Sequence, residues 1–94
     1  MTQIAVGQQL WNYQEIGSGK STPILILHGW GRNGNEWVRM ARDLSQGSGR
    51  KVYVIDLPGL GGSSLPKIKS IFDYSQLVVD FCHYLEIAKV IVIG

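Results

Sequence analysis

Two glycine-rich stretches carry residue types suited to chemistry, HGWGRNG at 28–34 and DLPGLGGSS at 56–64. A third, GSGKST at 17–22, has the tail of a phosphate-binding loop. Glycine lets a backbone approach an anion closely and turn its N–H groups toward it. The histidine, aspartate and serines among these glycines would add a base, a carboxylate and hydroxyls. Each stretch has to be judged by its flanking elements, because a backbone cradle works only where strand and helix aim it.

GSGKST fails that test. The phosphate-binding pattern is G-x-x-x-x-G-K-[ST], followed by a helix. Gly19-Lys20-Ser21 would place its first glycine at 14, where the residue is Gln14. Pro23 and the apolar run ILIL follow at once, which is a strand signal, so the polarity is reversed. A flexible polar turn between two strands is expected.

The remaining elements alternate in type. QIAV and QLWNYQEI are short β-prone runs about Gly7 and predict a hairpin. PILIL at 23–27 suits a strand buried on both faces. From Asn35, the residues Trp37, Met40, Ala41 and Leu44 share one helical face, and GSG at 47–49 ends that helix. KVYVID at 51–56 is the next strand. A second helix begins near Ser70, where Ser70 and Asp73 have the spacing of a capping box. Its stripe is Tyr74, Leu77, Val78, Phe81 and Leu85. KVIVI at 89–93 is the last strand, followed by Gly94. This alternation predicts an α/β fold with parallel strands, two crossover helices and an N-terminal β-hairpin, in one domain over 1–94.

Composition narrows the classes. The 94 residues are 45% hydrophobic with twelve glycines, which suits a globular chain. A formal charge of +2 with no basic run gives no electrostatic case for nucleic acid or an anionic membrane. Cys82, the single cysteine, excludes an internal disulfide and lacks any metal-ligand spacing. The N-terminus lacks the pattern of a signal peptide, and no apolar run is long enough for a membrane helix. A soluble, cytoplasmic protein is expected, with no metal and no cofactor.

HGWGRNG contains a second candidate. Gly29, Gly31 and Gly34 fit G-x-G-x-x-G, between a strand and a helix, and Asp56 ends the next strand roughly 20 residues on. That is the dinucleotide-binding fingerprint in its required context. Three features oppose it. Trp30 stands where the backbone must meet the pyrophosphate. Asn35, Glu36 and Trp37 directly follow the glycine that should allow tight helix packing. The helix also starts after the loop rather than within it. A Rossmann-type module remains the alternative reading.

Taken together, LHGWGRNGNEW and DLPGLGGSS resemble the α/β-hydrolase superfamily. Similar members carry His-Gly after the third strand with a Trp some residues later, here His28-Gly29 and Trp37. They then carry D-x-P-G-x-G-x-S after the fourth strand, here Asp56, Pro58, Gly59, Gly61 and Ser63. The order, the spacing and the intervening helix agree over nearly the whole chain. KVIVIG looks like the fifth strand plus the first glycine, Gly94, of the nucleophile elbow G-x-S-x-G.

The resemblance implies a hydrolase acting on a small ester or related substrate by acyl transfer to water. It assigns the backbone N–H of Trp30 to the oxyanion hole, with the indole as a pocket wall. His28, Gly29 and Gly31 would shape that loop, His28 as a brace rather than the triad base, which the family places last in the chain. Asp56 would fasten the turn after strand four, and Gly59, Gly61 and Gly62 would serve its backbone. Cys82 is expected in the core and His83 at or near the surface.

The chain reaches neither nucleophile, acid nor catalytic histidine, so it is expected to be part of a larger hydrolase and inactive alone. In the family the sheet order is 1-2-4-3-5-6-7-8, and strand 89–93 would then be an exposed edge open to self-association. A non-catalytic partner that completes its sheet with another chain is the third reading.

Overall fold

The computed structural model describes residues 2–27, 37–64 and 70–94. In chain order the elements are β1 (Thr2–Val6), β2 (Gln9–Ile16), β3 (Ile24–Leu27), α1 (Val38–Ser48), β4 (Val52–Ile55), α2 (Ile71–Tyr84) and β5 (Ile91–Ile93). They form one five-stranded sheet in the order β1-β2-β4-β3-β5. β1 and β2 are the antiparallel hairpin about Gly7, and β2 runs antiparallel to β4. β3 lies parallel between β4 and β5. The order is that of the first five strands expected from the sequence.

Strand alternation decides which helix each side chain meets. Successive residues of a strand point to opposite faces. Ile24, Ile26, Val52 and Val54 pack with Ala41 of α1. Leu25, Tyr53 and Ile55 pack with Phe81 and Cys82 of α2 on the other face, beside Trp11 from β2. β3 and β4 are therefore apolar at every position, because both faces are covered. Trp11 and Phe81 are fully buried with ring centroids 4.8 Å apart, and Tyr13 meets Phe81 edge-on at 5.4 Å.

Both helices end by geometries tied to particular residues. Ser70 Oγ accepts from Asp73 N at 3.2 Å, which caps α2 at the residue expected. α1 stops at Gly49, whose φ of 68° is left-handed. Two expectations need correction. Met40 is exposed rather than buried, because Trp37, Ala41 and Leu44 already cover the sheet on that side. The last strand is only Ile91–Ile93, shorter than the 89–93 read from its apolar run.

GSGKST is not a free turn. A Cβ on Gly19 would lie 1.9 Å from the Gly49 carbonyl oxygen, and one on Gly17 would lie 2.1 Å from Ser45 Oγ. Its glycines let the segment press against the end of α1, and Arg50 Nη1 donates to Thr22 O at 2.8 Å. Periodicity carries no sign of that packing, since it depends on a helix end some thirty residues away in the chain.

Candidate functional site

The parallel strands leave the sheet at one end. Leu27 pairs in register with Ile55, and Ile26 with Ile93, so β3, β4 and β5 all finish there. From β3 the chain goes through α1 to β4 on one side. From β4 it crosses through α2 on the opposite face to β5, on the other side of β3. The direction of winding therefore reverses between β3 and β5. In open α/β sheets the crevice outside the carboxyl ends of the strands at that reversal is where ligands bind. Gly94 follows β5 directly at this end. His28, Gly29, Trp30 and Gly31, the expected oxyanion loop, lie outside the described residues, as does Gly34.

The turn after β4 is fully described as far as Ser64. Asp56 is 2% exposed, and its Oδ2 accepts from Asn12 Nδ2 at 2.7 Å and from Gly62 N at 2.8 Å. The Asp56 N–H donates to Asn12 O at 2.9 Å, and Asn12 N donates to Ser63 Oγ at 3.0 Å. Ser63 Oγ in turn donates to Asp56 O. Ser63 is buried, so this hydroxyl is spent on holding the turn. Gly59 and Gly61 take φ values of 85° and 51°, which side chains rarely adopt. A Cβ on Gly61 would fall 2.4 Å from the Asp56 carboxylate. Pro58 is buried, and its carbonyl accepts from Tyr74 Oη at 3.0 Å, fixing the turn to α2.

This geometry separates structural residues from chemical ones. Asp56 faces inward with both named donors in place, whereas a ribose-binding aspartate has to face a ligand. The arrangement speaks against the dinucleotide reading. Asn12, which sequence reasoning missed, is central to the turn. Its only advance signal is a polar amide in a β-prone run, where an ordinary surface position explains it as well. Cys82 is buried and desolvation raises its thiol above the ordinary value, as suits a core residue. His83 lies on the exposed side of α2. Among the described residues no group of three or more His, Cys, Asp or Glu is arranged to hold a metal. No helix of the described residues is long and apolar enough to cross a membrane.

The sequence pattern of the family described as alpha/beta hydrolase fold matches residues 22–94. The chain belongs to the α/β-hydrolase family. A pimeloyl-[acyl-carrier protein] methyl ester esterase from Vibrio cholerae is 35% identical over 63 residues, covering 67% of this chain and 24% of the esterase. The acetyltransferase component of an acetoin-cleaving system from Pseudomonas putida is 33% identical over 85 residues, 89% of this chain and 22% of its own. Among solved structures, a bacterial membrane phospholipase A superposes with a TM-score of 0.83 at 30% identity, over 97% of this chain and 29% of the phospholipase. An epoxide hydrolase superposes at 0.82 and 30% identity, over 99% of this chain and 32% of that one. This hydrolase-family chain thus spans about a quarter of the length of the curated relatives it matches.

Proposed function

We propose that the whole protein hydrolyses a small ester or related acyl substrate by a serine-type mechanism. The observation that carries this reading is the winding reversal between β3 and β5, in a chain of the hydrolase family whose β5 runs straight into Gly94. In an elbow G-x-S-x-G, the serine would come two residues after Gly94. The backbone N–H of Trp30 would donate to the oxyanion as the carbonyl becomes tetrahedral, with the loop shaped by His28, Gly29 and Gly31. The turn of Asp56, Pro58, Gly59, Gly61 and Ser63 would hold the neighbouring rim without touching substrate. The family's chain order would put nucleophile, acid and base after Gly94, so the 94-residue segment by itself would not turn over. The named chemistry of its relatives, an esterase, a phospholipase and an epoxide hydrolase, sets the substrates worth trying first.

The test is an assay of the complete reading frame on p-nitrophenyl acyl esters, with phenylmethylsulfonyl fluoride as an active-serine reagent. Ester turnover that the reagent abolishes is the expected result. Turnover of an epoxide or haloalkane with no ester activity would sink the acyl-transfer reading. Trp30→Pro deletes the donor N–H and should lower kcat about 10²–10³-fold, while Trp30→Ala keeps it.

A second reading rests on the outer edge of β5. Ile91 and Val92 are 42% and 54% exposed, and among the described strands β5 pairs only with β3. An apolar edge of this kind recruits a further strand. The segment alone would then self-associate through Ile91–Ile93, which sedimentation velocity across a concentration series would detect. A monomer at every concentration would exclude it.

A further inference from the structure

At the pole of the sheet opposite the candidate site, an open cleft of about 620 Å3 lies beside the residues that lead into β3, β4 and β5. Its cations are Lys20 from GSGKST, Lys51 just before β4 and Lys89 just before β5, against the carboxylate of Glu86 in the lining and that of Glu15 on Lys51. Lys51 Nζ is held by Glu15 Oε1 at 3.1 Å, while Lys20 and Lys89 make no ion pair among the described residues. Ser18, Ser21 and Thr22 add hydroxyls to the same wall. That wall is braced, because Gly17 and Gly19 press on the end of α1 and Arg50 donates to the Thr22 carbonyl. The apolar part of the lining is Pro23, Leu85 and Ile87.

We propose that this cleft binds an organic phosphate, with the phosphoryl group against Lys20, Lys51 and Lys89 and the organic part against Pro23, Leu85 and Ile87. Two features favour that ligand class. The cations are all ammonium point charges, from which a phosphoryl group carrying close to two negative charges gains more than a singly charged carboxylate. The volume falls in the range of small-molecule sites and exceeds what inorganic phosphate fills. Glu86, the acidic residue of the lining, opposes an anion there. The site owes nothing to a helix N-terminus and is not a phosphate-binding loop. The lysines have a competing role, offsetting the negative carboxyl ends of α1 and α2 at this pole. Under that role an added phosphate would find no specific seat.

The experiment is a titration of the protein, followed by ¹H–¹⁵N NMR at constant ionic strength. The probes are phenyl phosphate, inorganic phosphate and benzoate. The expected result is saturable shifts confined to 18–22, 51 and 85–89, with phenyl phosphate tightest and benzoate weakest. The double variant Lys20→Ala/Lys89→Ala should weaken phenyl phosphate about tenfold, and Glu86→Gln should tighten it several-fold. Shifts that do not saturate, that scatter over the surface, or that survive loss of both lysines would overturn the proposal. Inorganic phosphate binding as tightly as phenyl phosphate would overturn the organic part of it.

Discussion

Asn12 Nδ2 donates to Asp56 Oδ2 at 2.7 Å, joining the hairpin to the end of β4 across 44 residues of chain. The same asparagine exchanges main-chain bonds with the turn, through its carbonyl to Asp56 N and its N–H to Ser63 Oγ. Buried polar groups are tolerated only when paired, so each partner stabilises chiefly by not leaving the other stranded.

That reciprocity predicts a coupled pair. Asp56→Ala would strand the Asn12 amide and the Gly62 N–H and should destabilise by about 3 kcal/mol. Asn12→Ala removes one donor from the carboxylate and should cost about 1–3 kcal/mol. Because they share a bond, the double variant should lose less than the two singles together, by at least about 0.5 kcal/mol. Urea unfolding of all four proteins closes the cycle. Strict additivity would mean that the 2.7 Å contact contributes nothing to stability.

Two glycines with nearly the same backbone separate conformational strain from collision. Gly7 has φ 61° and open space where a Cβ would go. Gly61 has φ 51°, and its Cβ would meet the Asp56 carboxylate at 2.4 Å. Gly7→Ala should cost about 1 kcal/mol from the left-handed conformation alone. Gly61→Ala adds a clash with a buried, bonded group and should cost clearly more, about 3 kcal/mol. Equal losses by chemical denaturation would show that the turn yields freely and is not held by Asp56.

Helix α2 ends on a residue that its geometry disfavours. Ile87 N donates to Cys82 O at 2.9 Å and Glu86 N to His83 O at 3.0 Å, the paired bonds of a Schellman motif. The residue between them belongs in the left-handed region, where glycine is usual, and here it is Glu86. Glu86→Gly should raise stability by about 0.5–1 kcal/mol, net of glycine's greater freedom when unfolded. A rise in melting temperature is the expected reading. A fall would indicate that the Glu86 side chain stabilises the native state by more than its backbone strain.

The parts of the fold that were legible in sequence are those governed by local rules. ILIL read as a doubly covered strand and VYVI as the next strand, and both faces of β3 and β4 are buried. Ser70 announced the start of α2 because an N-cap needs only its own next turn. Asp56 and its glycines stood out through their spacing. Asn12 did not, because its partners lie 44 and 51 residues away and nothing local marks it. The packing of Gly19 on Gly49 was illegible for the same reason. Met40 misled because a helical stripe is wider than the strip of sheet it covers.

The sheet also carries a small pH-dependent element, centred on Glu15. Its Oε1 accepts from Tyr53 Oη at 2.9 Å and pairs with Lys51 Nζ at 3.1 Å. Burial acts to raise the Glu15 carboxyl, but the bonds from Lys51 and Tyr53 and the lysine charge outweigh it, so the net value lies below the ordinary 4.5. A carboxyl with a lowered folded-state value stabilises fully above its unfolded value, and that contribution is lost as pH falls through the folded one. The Glu15 side chain is 47% exposed, so solvent screening holds the contribution below about 1 kcal/mol. Glu15→Gln should therefore cost little at pH 7, and the gap to the unaltered protein should close as the pH drops below 4.5. Tyr53 supplies the alkaline limb. Burial, then the hydrogen bond to Glu15 and its charge, raise the phenol above its ordinary 10.0. Stability from the neutral phenol is then present below pH 10 and lost as pH rises toward the folded-state value. Absorbance at phenolate wavelengths should show this tyrosine titrating late, and earlier in Glu15→Gln. An unchanged titration in that variant would mean that the Glu15 contact has no share in raising Tyr53.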